Sequence, residues 1–241
     1  MENADIPPIA IIQARMTSTR LPGKVLMDIC GRPALEWQIS RVRKSQLVGE
    51  IIVATTSNNS DDSVVALCKQ LNVKVFRGDE ADVLGRFRDA ANTVSAENIV
   101  RLTADCPMQD PDIIDDIIRK FRSGKFDYVS NCNERTYPDG LDAEIFTRAA
   151  MEEACLNAQH PFLREHVTPY IRGSHPQYGH GAFQIGQVTF AGDFSHVRWT
   201  LDTMADLKRI RRLISILPEQ YSWLEALSLA TKEPDLLGLV D

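Results

Sequence analysis

Apolar positions along the chain fall into two alternating rhythms. Short runs rich in β-branched residues recur at Ile9–Ile12, Ile51–Thr55, Val73–Phe76, Ile99–Leu102, Tyr128–Ser130 and Arg198–Leu201, each of a length that suits a buried strand. Between them the spacing turns helical. Leu35, Ile39 and Val42 share one face, Val64, Val65, Leu67, Cys68 and Leu71 cover another, and Ile113, Ile114, Ile117, Ile118 and Phe121 form the clearest stripe. Strands alternating with helices predict βαβ units and a mainly parallel sheet covered on both faces.

The rhythm breaks between about residues 137 and 190, where helical stretches give way to a loop punctuated by His, Gly and Pro before the pattern resumes. We read this segment as a lobe inserted into a single domain spanning 1–241. Composition agrees: 241 residues with 44% hydrophobic and 25% charged content can bury one sizeable core. No run of about 18 apolar residues is present to span a bilayer, and the start MENADIPPIA lacks the basic and apolar regions of a signal peptide. A soluble, cytoplasmic protein without a membrane partner is expected.

A net charge of -6 argues against a general nucleic-acid binder. Cys30, Cys68, Cys106, Cys132 and Cys155 are odd in number, widely spaced and without C-x-x-C, which points to reduced, mostly buried thiols rather than to zinc or disulfides.

In parallel sheets ligands bind beyond the carboxyl ends of the strands. Here those ends are polar: Gln13-Ala14-Arg15 after the first strand, Thr55-Thr56-Ser57-Asn58-Asn59 after the second, Thr103-Ala104-Asp105 after the fourth, and Asp202-Thr203 after the last. The loop after the first strand, ARMTSTRLPGK, is neither a Walker loop nor a dinucleotide fingerprint. It nevertheless spaces Arg15, Ser18, Arg20 and Lys24 so that guanidinium forks and a compact ammonium can hold phosphate oxygens. A triphosphate is the natural guest.

The carboxylates admit two readings each. Asp105 suits a turn before Cys106-Pro107 or a metal at the cleft edge, and Asp202 suits either a metal or a cap ahead of the helix that begins near Met204. Asp206 reads as a charge in that helix's first turn. Asp110-Pro111-Asp112 contains the D-x-D of many glycosyltransferases, but Asp-Pro ahead of an amphipathic helix reads first as a cap with Pro at the start.

The stretches IIQARMTSTRLPGKVLMDICGRPALEWQI, RLTADCPMQDPDIID and RWTLDTMADL resemble the sugar-nucleotidyltransferase superfamily, specifically the SpsF-type cytidylyltransferases, which are similar to the synthetases joining CMP to sialate or 3-deoxy-manno-octulosonate. The resemblance covers most of the chain. It implies a three-layer α/β/α fold of the nucleotide-diphospho-sugar transferase kind, and CTP and Mg2+ as ligands, with pyrophosphate released.

By position, Arg15, Ser18, Arg20 and Lys24 would hold the triphosphate together with Gln13, Ala14 and Thr103. Arg15, Arg20 and Lys24 would act in the chemical step, Asp105 and Asp202 would hold the metal, and Thr55, Ser57 and Asn58 would lie near the base. Gln13 and Met16 stand where the sialate enzymes tend to have Pro and Gly, a departure that bears on the acceptor. Asp142, Glu144, Arg164 and His166 would meet that acceptor, a sugar acid of the 3-deoxy or nonulosonic type, although Arg164, Glu165 and His166 are consecutive on a helix and cannot all face one way. His160, His175 and His180 read as loop or capping residues.

A homodimer is expected through Ala149, Ala150, Met151, Ala154, Cys155 and Leu156 beside Phe162 and Tyr170. Two rival functions remain: a glycosyltransferase using a nucleotide sugar, which would have less use for the basic loop, and a non-catalytic nucleotide-binding partner, which would tolerate loss of Asp105.

Overall fold

Each predicted strand except the last is present, and the first four lie side by side in parallel, as parallel crossovers would place them. The computed structural model describes residues 6–239, so the first half of the start read as lacking a signal peptide lies outside the described residues. Strands β1 (Ile9–Gln13), β2 (Asp28–Ile29), β3 (Arg32–Pro33), β4 (Ile51–Thr56), β5 (Lys74–Gly78), β6 (Asn98–Thr103), β7 (Tyr128–Ser130), β8 (Glu144–Thr147) and β9 (Ile185–Gln187) alternate with helices. The helices are α1 (Ala34–Val42), α2 (Asp62–Gln70), α3 (Val83–Ala91), α4 (Pro111–Arg122), α5 (Arg148–Asn157), α6 (Pro161–His166), α7 (Pro169–Arg172), α8 (Met204–Ile216) and α9 (Trp223–Ala230).

Seven strands form one sheet in the order β5-β4-β1-β6-β8-β7-β9, parallel except at β8, which runs antiparallel to β6 and β7. Because side chains alternate across a sheet, each strand feeds two cores. Val100 and Leu102 of β6 join the core beneath α1, α2, α4, α8 and α9, whereas Ile99 joins the core beneath α3 and α5 to α7. This is the three-layer α/β/α arrangement, with a mainly parallel sheet.

The helix stripes are buried as their spacing requires. Ile113, Ile114, Ile117 and Ile118 are each no more than 2% exposed on α4. Asp110 caps that helix, accepting from the backbone N–H of Asp112 at 2.9 Å, with Pro111 in the first turn, so the D-x-D stretch is a cap. Helix α8 starts from Thr203 in a capping box with Asp206, which places Asp206 in the first turn as its sequence position suggests.

Two regions depart from the sequence pattern. The segment from 137 to 190 contributes β8 and β9 to the main sheet in addition to three helices, and β8 sits between β6 and β7. Its four residues, Glu144 to Thr147, are too few to reveal a period of two against the helical stretch that follows. Arg198–Leu201 is not a strand: its backbone divides its hydrogen bonds between two partners, Trp199 N–H to the Asp139 carbonyl at 2.7 Å and Leu201 N–H to the Asp105 carbonyl at 2.8 Å. Gly140 permits the close approach, since a Cβ there would lie 2.7 Å from the Trp199 carbonyl carbon. That crossing brings the end of β6 against the residues before α8.

The anticipated dimer strip is mostly turned inward. Ala150, Met151 and Ala154 share the core-facing side of α5 and are no more than 1% exposed, and Tyr170 is buried as well, while Leu156 is 75% exposed. Cys68, Cys106 and Cys132 are buried thiols. Among the described residues no helix is long and apolar enough to cross a membrane.

Candidate active site

The loop after β1 gains its shape from the backbone and so frees its side chains. Ala14 N–H donates to the Ala54 carbonyl at 3.1 Å, Gly23 N–H reaches back to the Met16 carbonyl at 2.8 Å, and Gly23 itself adopts the left-handed conformation at φ 74°. Leu21 and Val25 are buried as anchors. After a short 3-10 turn at Lys24–Leu26, the β2–β3 hairpin closes through Cys30 and Gly31, both at positive φ, and Trp37 Nε1 donates to the Ile29 carbonyl at 2.7 Å. The apolar residues of the loop point down, and its polar ones line a cleft.

Asp61 fixes this loop to the next strand end. Its side chain is fully buried; one oxygen accepts from Met16 N–H at 2.9 Å, and the other from the Thr55 and Thr56 hydroxyls at 2.8 and 2.6 Å and from Thr56 N–H at 3.0 Å. Burial alone would raise its pKa, but these donors outweigh it and hold the carboxyl below its usual range. Thr55 therefore faces Asp61 within the protein rather than a ligand.

The cleft, of about 290 Å³, is lined by Gln13, Ala14, Arg15, Ser18, Arg20 and Lys24 from the loop, by Thr103 and Asp105 from the end of β6, and by His166 and Asp202. These ten residues, singled out from four separate stretches of sequence, converge on one space. Lys24 Nζ stands between two carboxylates, 3.0 Å from Asp105 Oδ2 and 2.8 Å from Asp202 Oδ1. Asp105 Oδ1 accepts from the Thr103 hydroxyl at 2.6 Å, Asp202 Oδ1 also meets Arg20 at 2.9 Å, and Asp202 Oδ2 takes Arg198 at 2.6 Å.

Burial would lower the Lys24 pKa, yet the adjacent charges of Asp105 and Asp202 and the hydrogen bonds to them raise it above its ordinary value. Asp202 mirrors this: burial would raise its pKa, and the bonds and charges of Lys24 and Arg198, with Arg20, bring it down. Among the described residues no group of three or more His, Cys, Asp or Glu could hold a metal ion. Two carboxylates do meet at one cation, the Lys24 ammonium. Hard oxygen donors of this kind suit Mg2+, which needs only one or two protein carboxylates when phosphates supply other ligands.

The remaining candidates stand elsewhere. Ser57 and Asn58 are exposed at the end of β4, where Asn58 Nδ2 donates to Glu80 at 2.6 Å. Asp142 is held by Arg135 through two bonds of 2.9 and 2.6 Å. Glu144 is buried, accepting from Arg101 and from the Tyr128 hydroxyl at 2.7 Å. Burial would raise the Glu144 pKa, but the charges of Arg101 and Arg172 lower it. Arg164 pairs with Asp82 at 2.5 Å, donates to the Cys155 carbonyl and does not line the cleft.

Of the α6 pair, His166 alone lines the cleft, and the helix ends there at Val167, whose φ of 70° is unusual for a β-branched residue. Its pKa is lowered, first by burial, against the opposing charge of Glu165, and further by Arg101 and Arg172. His160 caps α6, accepting from Phe162 N–H at 3.2 Å.

Three contributors escaped the sequence reading. Glu80, just beyond β5, accepts from Thr17, from Asn58 and from Arg15 at 3.5 Å. The same rule that pointed to the other strand ends, applied after Val73–Phe76, would have found it. Arg86, buried on α3, lines an adjoining hollow of about 130 Å³ with Gln13, Ala14 and Arg15. Asp61 carried no signal, being one of several polar residues in a run.

Fold and cleft together define an α/β nucleotidyltransferase. A cytidylyltransferase family model matches residues 9–232, and the chain belongs to that family. It is 33% identical over 232 residues to the spore coat polysaccharide biosynthesis protein SpsF of Bacillus subtilis, a match covering 93% of this chain and 94% of that one. A solved cytidylyltransferase from Leptospira borgpetersenii superimposes with a TM-score of 0.89 at 33% identity, covering 96% of this chain and 97% of that one. CMP:2-keto-3-deoxy-manno-octonic acid synthetase complexed with CTP shares the fold at a TM-score of 0.64 and 19% identity, over 87% of this chain and 99% of that one.

Proposed function

We propose that this cytidylyltransferase moves CMP from CTP to a hydroxyl of a sugar acid of the 3-deoxy or nonulosonic type, releasing pyrophosphate, for surface polysaccharide or glycan synthesis. The observation that carries the proposal is the convergence of Lys24, Arg20, Asp105 and Asp202 at 2.8 to 3.0 Å beneath a loop whose backbone is fixed independently of them. Nucleotidyl transfer asks the protein mainly for positioning and charge neutralisation, which is what such an array offers.

In the proposed step the acceptor hydroxyl oxygen attacks the α-phosphorus in line, forming the new O–P bond as the bond from that phosphorus to the oxygen bridging to the β-phosphate breaks, the hydroxyl proton passing to water. Arg15, Ser18, Arg20 and Lys24 hold the triphosphate, with Lys24 and Arg20 stabilising the departing pyrophosphate. Asp105 and Asp202 would hold Mg2+, which supplies neutralisation of charge on the phosphate oxygens. Thr103 and Arg198 orient the two carboxylates through their bonds to them. Gln13 and Ala14 would flank the nucleoside, with Ser57 and Asn58 at its outer edge.

On the acceptor side His166 faces the cleft, with the charges of Arg101 and Arg172 set against those of Glu144 and Glu165. Asp142 and Glu144 would act there through Arg135 and Arg101, which they neutralise, and Arg164 by fixing α6. A homodimer through the exposed end of α5, where Leu156 lies open, and a cytoplasmic location complete the proposal.

Calorimetric titration with CTP, UTP, GTP, ATP and dTTP in Mg2+, repeated on Arg20→Ala and Asp105→Ala, tests it. CTP should bind selectively, weaken with Arg20→Ala and lose its Mg2+ dependence with Asp105→Ala. Binding of a nucleoside-diphosphate sugar but of no triphosphate would instead favour a glycosyltransferase.

A further inference from the structure

Lys24 occupies a place that the proposed metal would need. A magnesium ion sits about 2.0–2.1 Å from its carboxylate oxygens, and the Lys24 ammonium lies 3.0 and 2.8 Å from the two oxygens that would bind it. Two cations cannot share that gap. The side chain is only 12% exposed, so it is enclosed between the loop and the carboxylates rather than sampling solvent.

The surrounding charges are already balanced. Arg198, besides its bond to Asp202, pairs with Asp139 at 2.8 Å and Asp206 at 3.6 Å, which leaves Lys24 and Arg20 facing Asp105 and Asp202. A divalent cation entering alone would leave this group with excess positive charge and displace an ammonium whose ion pairs, among the described residues, are those with Asp105 and Asp202. A triphosphate changes both conditions, because it brings negative charge and gives Lys24 phosphate oxygens to bind.

We infer that Lys24 is the resident cation of the Asp105–Asp202 site, withdrawn by the triphosphate, so that metal occupancy is coupled to nucleotide occupancy. The inference rests on the metal reading of those carboxylates given above. The coupling is reciprocal: the triphosphate raises metal affinity by the same factor by which the metal raises triphosphate affinity. Nucleotide-free protein therefore keeps its carboxylates neutralised and does not load metal on its own. In this role Lys24 is both a phosphate ligand and a guard.

The test measures Mn2+ binding to nucleotide-free protein by electron paramagnetic resonance of the free ion. Lys24→Met, which keeps the length of the side chain without its charge, should bind Mn2+ about tenfold or more tightly than the unaltered protein. Lys24→Gln should do the same, and Lys24→Met combined with Asp105→Asn should lose the gain. Thermal unfolding of each variant confirms that it is folded, and Mn2+ should raise the midpoint of Lys24→Met more than that of the unaltered protein.

If folded Lys24→Met and Lys24→Gln bind Mn2+ no more tightly than the unaltered protein, the inference is overturned. Comparing Mn2+ uptake by the unaltered protein and Asp105→Ala in the presence of CTP separates the two ideas. Asp105-dependent uptake with CTP but no gain in the Lys24 variants removes the guard and keeps the metal site, whereas absence of both removes the metal reading as well.

Discussion

The two sides of the cleft use the same residue types in opposite ways. On the side proposed for the nucleotide, at the ends of β1 and β4, the buried carboxylate of Asp61 binds backbone and hydroxyl groups, and Arg15 and Arg20 remain 38% and 62% exposed. On the side proposed for the acceptor, where β6 and β8 pair, Arg101 and Glu144 are 12% and 6% exposed and neutralise each other. The first side spends its buried charge on holding a loop, which leaves Arg15 and Arg20 in exposed ion pairs with Glu80 and Asp202 that a ligand can reach. The second spends it on an internal ion pair, so its influence on a ligand is a field rather than a contact. Positive residues in a sequence therefore mark a binding site only where something else holds the backbone.

The largest effect should come from the point where the two sides meet. Asp105→Ala should lower kcat/KM for CTP turnover by about a thousandfold, or about 4 kcal/mol, measured by pyrophosphate release; a loss of less than about tenfold would remove Asp105 from the chemistry.

Next, Glu144→Ala should cost about 3–5 kcal/mol of folding stability in urea unfolding, because it leaves Arg101 charged and buried without its partner. Little change would mean that Arg101 is solvated well enough to stand without its partner. Asp61→Ala should cost about 2–3 kcal/mol and weaken CTP binding as well, since Met16 N–H and two threonine hydroxyls lose their acceptor. If stability falls but CTP binds normally, the loop is not held by Asp61 in the bound state.

Arg20→Ala should weaken CTP about tenfold, close to 1.4 kcal/mol, and leave folding unaltered because the side chain is exposed. The smallest effect is in the alkaline limb of stability. Because the pKa of Lys24 is raised in the folded state, its contribution is complete below the ordinary value of 10.5 and is lost as pH rises through the folded value above it. Lys24→Met should therefore lose less stability than the unaltered protein between pH 10.5 and higher values, as thermal unfolding across that range would show.

Much of this arrangement is local enough to be read without coordinates. Burial on both faces requires continuous apolar runs, so β1, β4, β5, β6 and β7 announce themselves, as do the stripe of α4 and its Asp110-Pro111 cap. The basic loop was legible because its polar residues interrupt an apolar pattern at a strand end. Local pattern could not give β8, which is four residues long, and it took Arg198–Leu201 for a strand because the split between its partners Asp139 and Asp105, far off in sequence, leaves no local mark.

The sequence by itself therefore determined the layers, the parallel sheet and the chemistry available at its strand ends, because periodicity and residue type are properties of neighbours along the chain. Tertiary structure alone decided which charges a ligand can reach. It turned Thr55 onto Asp61, Glu144 onto Arg101 and Arg164 onto Asp82, and it set Lys24 between Asp105 and Asp202, 81 and 178 positions away. The physical reason is that a charge is spent on whichever partner folding brings within hydrogen-bonding distance, and that distance is not written in the spacing of residues.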